Sequence, residues 1–287
     1  MRKQYKCRFF ITNTISDYKY FNLYKTLPRS FATFVQIYMT MILNPSKGNM
    51  YEFITHTWNP IKGKCYHDCS YCYMKNMVVY ERPVHLVEGE LEGDFGLNKF
   101  IFLGSSTDGF AQDVPAEWIT KVLDCCYNKT KNQPPQDRTC FLIQTKNPKR
   151  LLDFIEHPLF DAKRKQVVAC TTLETNRHYT AIMNNAPLPQ DRVEAMRIIS
   201  NKGIGTYVTI EPIMDFDLNE FVSLIKQCNP KQVNIGLNTN KNVKLPAPTV
   251  GKAVEFVSKL NEFTKVHIKA NAQKLRKALL QANIVLK

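Results

Sequence analysis

The 287-residue chain is 44% hydrophobic and 11% aromatic, enough to bury a core, which excludes a globally disordered protein. Its formal charge of +14 sits at the two ends: residues 1–50 carry +7, residues 241–287 carry +8, and residues 51–240 carry −1. Such ends fit either a solvated lysine-rich surface or contact with nucleic acid. Nine cysteines, three of them within residues 65–72, argue against a disulfide framework and for a metal or cluster site in a reducing cytoplasm. The longest apolar run, Phe31 to Leu43, is broken by Thr33, Gln36 and Thr40 and is too short to span a membrane.

Residues 1–40 are basic, rich in Tyr and Phe, and aperiodic, and read as an N-terminal extension to a domain covering 41–287. Met39, Met41 and Met50 precede the first interpretable segment, so an internal start is one reading of this region. From residue 51, strands are predicted at 51–57, 99–104, 139–145, 166–172, 205–211 and 232–237. The helices between them carry end signals. Pro115 begins one, with Ile119, Val122, Leu123 and Cys126 as its apolar stripe. Asn147-Pro148 begins another, and Asp191 with Glu194 and Asp217 with Glu220 each pair an N-cap with an acid three residues on. Arg192, next to one of these caps, reads as a surface residue. Two more helices are expected at 251–263 and 270–282. Six alternating units predict an α/β fold with parallel strands and right-handed crossovers, as a partial (β/α)6 TIM-like barrel. Alternation then turns Leu142, Gln144 and Lys146, Tyr207, Thr209 and Glu211, and Asn234, Gly236 and Asn238 toward the barrel interior. Polarity rises toward the strand C-termini, where barrel active sites are built.

The segment after the first strand reads Cys65-Tyr66-His67-Asp68-Cys69-Ser70-Tyr71-Cys72, a CxxxCxxC pattern with an aromatic residue before the last cysteine. Thiolates are the usual ligands of iron–sulfur clusters, and three on one short loop hold three irons of a cubane and leave the fourth open. Cys65, His67, Cys69 and Cys72 also read as a four-ligand zinc site, although structural zinc sites usually use two separated pairs. The zinc alternative carries its own function, a zinc- or cluster-containing nucleic-acid-binding protein.

This cysteine pattern, with Tyr71 before Cys72 and a partial barrel behind it, resembles the radical S-adenosylmethionine (SAM) superfamily. The resemblance covers roughly residues 51–240. It implies a 4Fe–4S cluster on Cys65, Cys69 and Cys72, SAM on the open iron, and reductive cleavage of SAM to a radical that abstracts hydrogen from a substrate. It also implies a reductant such as flavodoxin or ferredoxin. Ser105-Ser106-Thr107-Asp108, in place of a Gly-Gly-Glu, is similar to the branch containing spore photoproduct lyase. Thr55-His56-Thr57-Trp58-Asn59-Pro60 fits a related uncharacterised group of phage and bacterial proteins. By that resemblance Tyr71, Ser105, Ser106 and Asp108 lie near SAM and Lys146 pairs with its carboxylate, where a surface helix-start lysine is the other reading. Thr172, Glu174 and Glu211 end their strands as candidate acceptors for ribose hydroxyls or substrate, or are loop acids. The lyase branch returns a hydrogen atom from a cysteine that has no counterpart at Ser105 or Ser106. Cys170, predicted inward on the fourth strand, is the candidate replacement or a small core residue. Cys126, Cys140 and Cys228 read as core. The expected protein is a monomeric cytoplasmic enzyme with a nucleic acid or nucleotide as its first candidate substrate.

Overall fold

The structure, a computed structural model, describes residues 43–286. The N-terminal extension predicted at 1–40 lies outside the described residues. The described residues form ten strands and seven α-helices. The strands are β1 (Asn44–Pro45), β2 (His56–Trp58), β3 (Ile61–Lys62), β4 (His85–Leu86), β5 (Phe100–Leu103), β6 (Cys140–Thr145), β7 (Val167–Thr172), β8 (Gly205–Ile210), β9 (Gln232–Ile235) and β10 (Lys265–Ile268). The helices are α1 (Ala116–Thr130), α2 (Pro148–Leu152), α3 (Thr180–Met183), α4 (Pro189–Asn201), α5 (Leu218–Gln227), α6 (Val250–Asn261) and α7 (Gln273–Gln281).

Eight strands form one sheet in the order β1-β2-β5-β6-β7-β8-β9-β10, and β3 and β4 pair in a small second sheet. All pairings of the large sheet are parallel except β1 with β2. Because each crossover leads to the next strand in the same direction, the helices collect on one face of the sheet. That face carries Ile101, Leu103, Phe141, Ile143, Val208, Ile210, Val233 and Ile235, packed with helix residues such as Leu123, Met196, Phe221 and Phe256. The alternate residues Phe102, Leu142 and Cys170 face the other way and form a separate cluster with Tyr51 and Ile54. The segment between β1 and β2 crosses this inner face: the Tyr51 hydroxyl meets Gln144 of β6 at 2.9 Å and Thr209 of β8 at 2.7 Å. Phe53 meets the Tyr207 and His267 rings edge-on. The inner face is therefore plugged largely by apolar groups, with Gln232 buried among them at the start of β9, where its Nε2 donates to Asn234 Oδ1 at 2.7 Å.

Five of the six predicted strands match. The first is shorter, beginning at His56 rather than 51, because Tyr51 and Phe53 are used as plug residues instead. A seventh parallel strand, Lys265–Ile268, was missed between two helices; four residues are too few to show a period. Helix α4 starts two residues before the predicted Asp191 cap, with Pro189 at its first turn. Asp217 does precede α5, but its carboxylate is held by Arg177 at 2.6 and 2.8 Å instead of capping the helix. Cys126 and Cys228 are core residues as expected, whereas Cys140 is half-buried.

Candidate active site

Parallel strands end together, so residues that follow their C-termini share one mouth. Here that mouth is a cleft of 510 Å³, inside the ~300–1,000 Å³ range of ligand pockets. Its lining includes all three cysteines of the motif, Cys65, Cys69 and Cys72, with Tyr71, Ser105, Asp108, Lys146, Thr172 and Glu211. Lys146, Glu211 and Lys269 each follow the last residue of a strand, or follow it by one.

The cysteine loop is held from both sides. Gly63, at φ +107°, packs against the Pro83 carbonyl where a side chain has no room, and its own carbonyl accepts from Thr107 Oγ1 at 2.8 Å. On the other flank, the loop 175–188 lies along it. The Ser70 amide donates to the Ile182 carbonyl at 2.9 Å, and the Asn184 and Asn185 amides donate to the carbonyls of Asp68 and Tyr66 at 2.5 and 2.9 Å. From below, Asp108 ties the loop to the sheet. Its Oδ2 meets His67 Nε2 at 2.9 Å, Thr145 Oγ1 at 3.0 Å and the Lys146 amide at 2.8 Å, while Oδ1 accepts from the Phe110 amide at 3.0 Å. Burial alone would raise the Asp108 pKa, but the His67 contact and these amides outweigh it and hold the carboxyl below its ordinary value. Asp108 is thus a brace for the cysteine loop whose oxygens are already occupied. Burial, followed by the Asp108 charge, pushes the Cys65 thiol up to about 12, and burial raises Cys72. Metal binding at these thiols releases their protons.

Behind the loop lies a buried charge cluster. Glu174 is fully buried, with Oε1 at 2.6 Å from Lys146 Nζ and Oε2 at 2.9 Å from Arg192 Nη1. The Tyr71 hydroxyl bonds both Glu174 and Lys146. Burial opposes the Glu174 charge, yet Lys146 and Arg192 hold its pKa down to about 2. Arg192 is not a surface residue: it is 0% exposed and also donates to the Thr172 and Pro187 carbonyls. The sequence read it as solvated because it opens a helix; the turn of α4 onto the sheet faces it inward. Glu174 lies behind the cleft wall, while Lys146 reaches the cleft with 16% of its side chain exposed. Ser105 lines the cleft, with its hydroxyl on Asn59 Oδ1 at 3.1 Å. Ser106 is tied to the same oxygen through its amide and does not line the cleft.

A second polar corner was not anticipated. Glu211 Oε2 meets Lys269 Nζ at 2.5 Å, and Oε1 accepts from Asn49 Nδ2 at 2.9 Å and Asn271 Nδ2 at 3.1 Å. Lys269, 5% exposed, also sits 4.5 Å from the Tyr51 ring centroid. Gly236 makes room for the Glu211 side chain, since a Cβ there would lie 2.7 Å from Glu211 Oε1. Gly236→Ala is expected to cost about 1–3 kcal/mol of stability by this overpacking; a thermal denaturation midpoint equal to wild type would contradict that. Lys269 could be read only from the tertiary structure, because it follows the strand the sequence hides. The Glu211 candidate was legible; its partners were not.

Cys170 is fully buried and does not line the cleft; its Sγ lies 3.5 Å from Thr209 Oγ1 and 3.7 Å from Gln144 Oε1, two groups it shares with the Tyr51 hydroxyl. Burial pushes its thiol up to about 12, so at neutral pH it keeps its S–H. Alkylation mapped by mass spectrometry is expected to leave Cys170 unmodified in the native protein and to modify it after unfolding. Labelling at the rate of an exposed cysteine would show that the plug opens.

His67 has its Nδ1 buried with no partner. Among the described residues no three His, Cys, Asp or Glu side chains converge on a single ion position.

No family model and no curated protein matches the chain. The fold is similar to that of spore photoproduct lyase. A mutant of that lyase with bound AdoMet and dinucleoside spore photoproduct aligns at 11% identity and a TM-score of 0.49, over 68% of this chain and 59% of that chain. Streptococcus suis SuiB aligns at 10% identity and a TM-score of 0.46, over 74% of this chain and 48% of that one. SuiB bound to S-adenosylmethionine aligns at 11% identity and a TM-score of 0.48, over 90% and 57%. The chain covers less than two thirds of each of these structures, and at such identities the likeness concerns the fold alone. No helix among the described residues is long and apolar enough to cross a membrane.

Proposed function

We propose that the chain is a radical SAM enzyme in which Cys65, Cys69 and Cys72 hold a 4Fe–4S cluster. The observation that carries this reading is the placement of three thiols from one short loop in the same 510 Å³ cleft as Lys146, at the C-terminal mouth of a parallel sheet. The donor set fits the group: thiols suit iron, and cubane ligands stand apart instead of meeting at one point. When bound, the cluster would supply the electron that breaks a C–S bond of SAM, so that hydrogen abstraction can begin. A low-potential donor such as flavodoxin or ferredoxin would deliver that electron.

The protein's own part is orientation. Lys146 presents an ammonium in the cleft for the SAM carboxylate, and Glu174 and Tyr71 fix where that ammonium stands. Tyr71, Ser105, Thr172 and Glu211 line the space left for SAM and substrate. Ser106 and Glu174 act from behind, by holding the groups that line it, and Asp108, at the cleft wall, spends its oxygens on bracing the cysteine loop. Cys170 keeps the S–H that a hydrogen-atom donor needs, behind Gln144 and Tyr51. A nucleic acid or nucleotide is the substrate class the resemblance and the basic ends favour.

One observation favours a second reading. The unpartnered His67 Nδ1, with Nε2 on Asp108, resembles a metal-ligating histidine braced by a carboxylate, as in a zinc site. One experiment separates the two. Anaerobic reconstitution with iron and sulfide, then dithionite and SAM, is expected to yield 5′-deoxyadenosine from wild type and none from the Cys65→Ala/Cys69→Ala/Cys72→Ala variant. Zinc in the purified protein, with no cluster uptake and no deoxyadenosine, would replace the enzyme with the binding protein.

A further inference from the structure

We propose that the loops 46–51 and 236–249 form a lip on the cleft that binds a phosphodiester chain, with single-stranded nucleic acid as its occupant. The proposal deepens the reading of the cleft as a substrate site and rests on it.

The two loops meet at the Glu211 corner. Asn49 of the first binds the Glu211 carboxylate, and Asn271, on that same carboxylate, is also bonded to both the amide and the carbonyl of Leu237 in the second. Together they carry Lys47, Lys241 and Lys244 and no Asp or Glu. All three lysines are exposed, and among the described residues none forms an ion pair. Elsewhere on the surface Lys62, Lys121 and Lys202 each hold a glutamate. Glu211 adds no free negative charge, because Lys269 is paired with it. The corner is therefore net positive, with no carboxylate in either loop to offset its lysines.

The lip is also built to hold its lysines in place. Asn238, which lines the cleft, donates through Nδ2 to the carbonyls of Asn240 and Val243 at 2.9 and 2.7 Å. Its Oδ1 accepts from the Asn240 amide at 3.0 Å. Lys241 and Lys244 directly follow the two residues so tied, so both flank a cleft-lining side chain. Lys47 itself lines the cleft. Exposed ammoniums on a fixed edge bind a row of phosphates by displacing its counterions.

The cleft beside the lip suits one nucleotide of such a chain. Tyr73 lines it with 48% of its surface exposed, a face on which a base can stack. Asn49 must turn its Nδ2 to the Glu211 carboxylate, which only accepts, so its Oδ1 is left buried without a donor. A sugar hydroxyl or base N–H supplies one.

The test is fluorescence anisotropy of a labelled single-stranded oligonucleotide on the reconstituted protein, over a range of salt. The variant Lys47→Gln/Lys241→Gln/Lys244→Gln is compared with Lys163→Gln/Lys165→Gln/Lys231→Gln, which removes the same charge from loops at the opposite end of the sheet. For three phosphate contacts the lip variant is expected to lower the log–log salt slope by about 2 and to weaken binding on the order of 100-fold at 0.1 M salt. The control variant is expected to bind like wild type. Equal losses in both variants, wild-type binding by the lip variant, or equal affinity for a nucleoside monophosphate and the oligonucleotide would each overturn the lip. Deoxyadenosine formation is measured in parallel without oligonucleotide. If it is absent while the lip loss persists, the radical SAM reading fails and the lip stands; if it is present without a lip loss, the reverse holds.

Discussion

Glu174→Gln is expected to destabilise the protein by about 3–5 kcal/mol, because it strips the counter-charge from two buried cations at once. In the native chain Glu174 sits between Lys146 at 2.6 Å and Arg192 at 2.9 Å, with no solvent contact of its own. Glutamine keeps the shape and one acceptor but leaves Arg192 fully buried and uncompensated. At this chain size the loss corresponds to a fall in Tm of about 5–10 °C. Adding Arg192→Met should recover a large part of it, since a buried pair replaced whole costs far less than a pair broken. The pH dependence follows from the same geometry. The folded-state pKa of Glu174 is about 2, below its ordinary value, so the ionised group favours the folded state. Its contribution is fully present above the ordinary glutamate range of ~4.3 and is lost as pH falls through about 2. Wild type should therefore lose stability faster than Glu174→Gln over that window. Parallel acid-denaturation curves for the two proteins would refute this.

Asp108→Ala is expected to reduce metal affinity of the cysteine loop by about 10–100-fold, the effect seen when groups that orient metal ligands are removed. The residue ties His67, between Cys65 and Cys69, to the amide of Lys146 and the hydroxyl of Thr145. Without it these donors lose their acceptor and the loop loses its anchor to the sheet. Asp108→Asn keeps an acceptor but no charge, and should fall between wild type and alanine. The measurement is iron and acid-labile sulfide per chain after reconstitution, with thermal stability recorded to separate loss of the site from loss of the fold. Wild-type iron content in the alanine variant would show that Cys65, Cys69 and Cys72 are positioned without the brace.

Asp108 is a candidate through the resemblance of Ser105-Ser106-Thr107-Asp108, and Glu174 as an acceptor at a strand end; they follow β5 and β7 in the loops at the cleft. Their work differs from what a strand end suggests, because each is consumed by partners more than thirty residues away or on another element: His67 and Lys146 for one, Lys146 and Arg192 for the other. Pairing of that kind depends on how helices and loops return onto the sheet, which no local pattern encodes.

Local pattern was enough for the strand–helix alternation, the parallel sheet, the inward face of the strands at 139–145, 205–211 and 232–237, and the cysteine loop at the first strand's end. These are properties of short range: a period of two along a strand, cap and breaker residues at helix ends, and ligand spacing within eight residues. The tertiary structure decided the rest. It recruited Tyr51 and Phe53 from the predicted first strand to plug the inner face, brought Lys269 from a strand too short to show a period, and buried Arg192 beneath a helix start. It also joined two lysine-bearing loops through Asn49, Glu211 and Asn271. Each of these depends on contacts between residues far apart in the chain, whose free energy comes from burial and pairing that exist only once the sheet has formed.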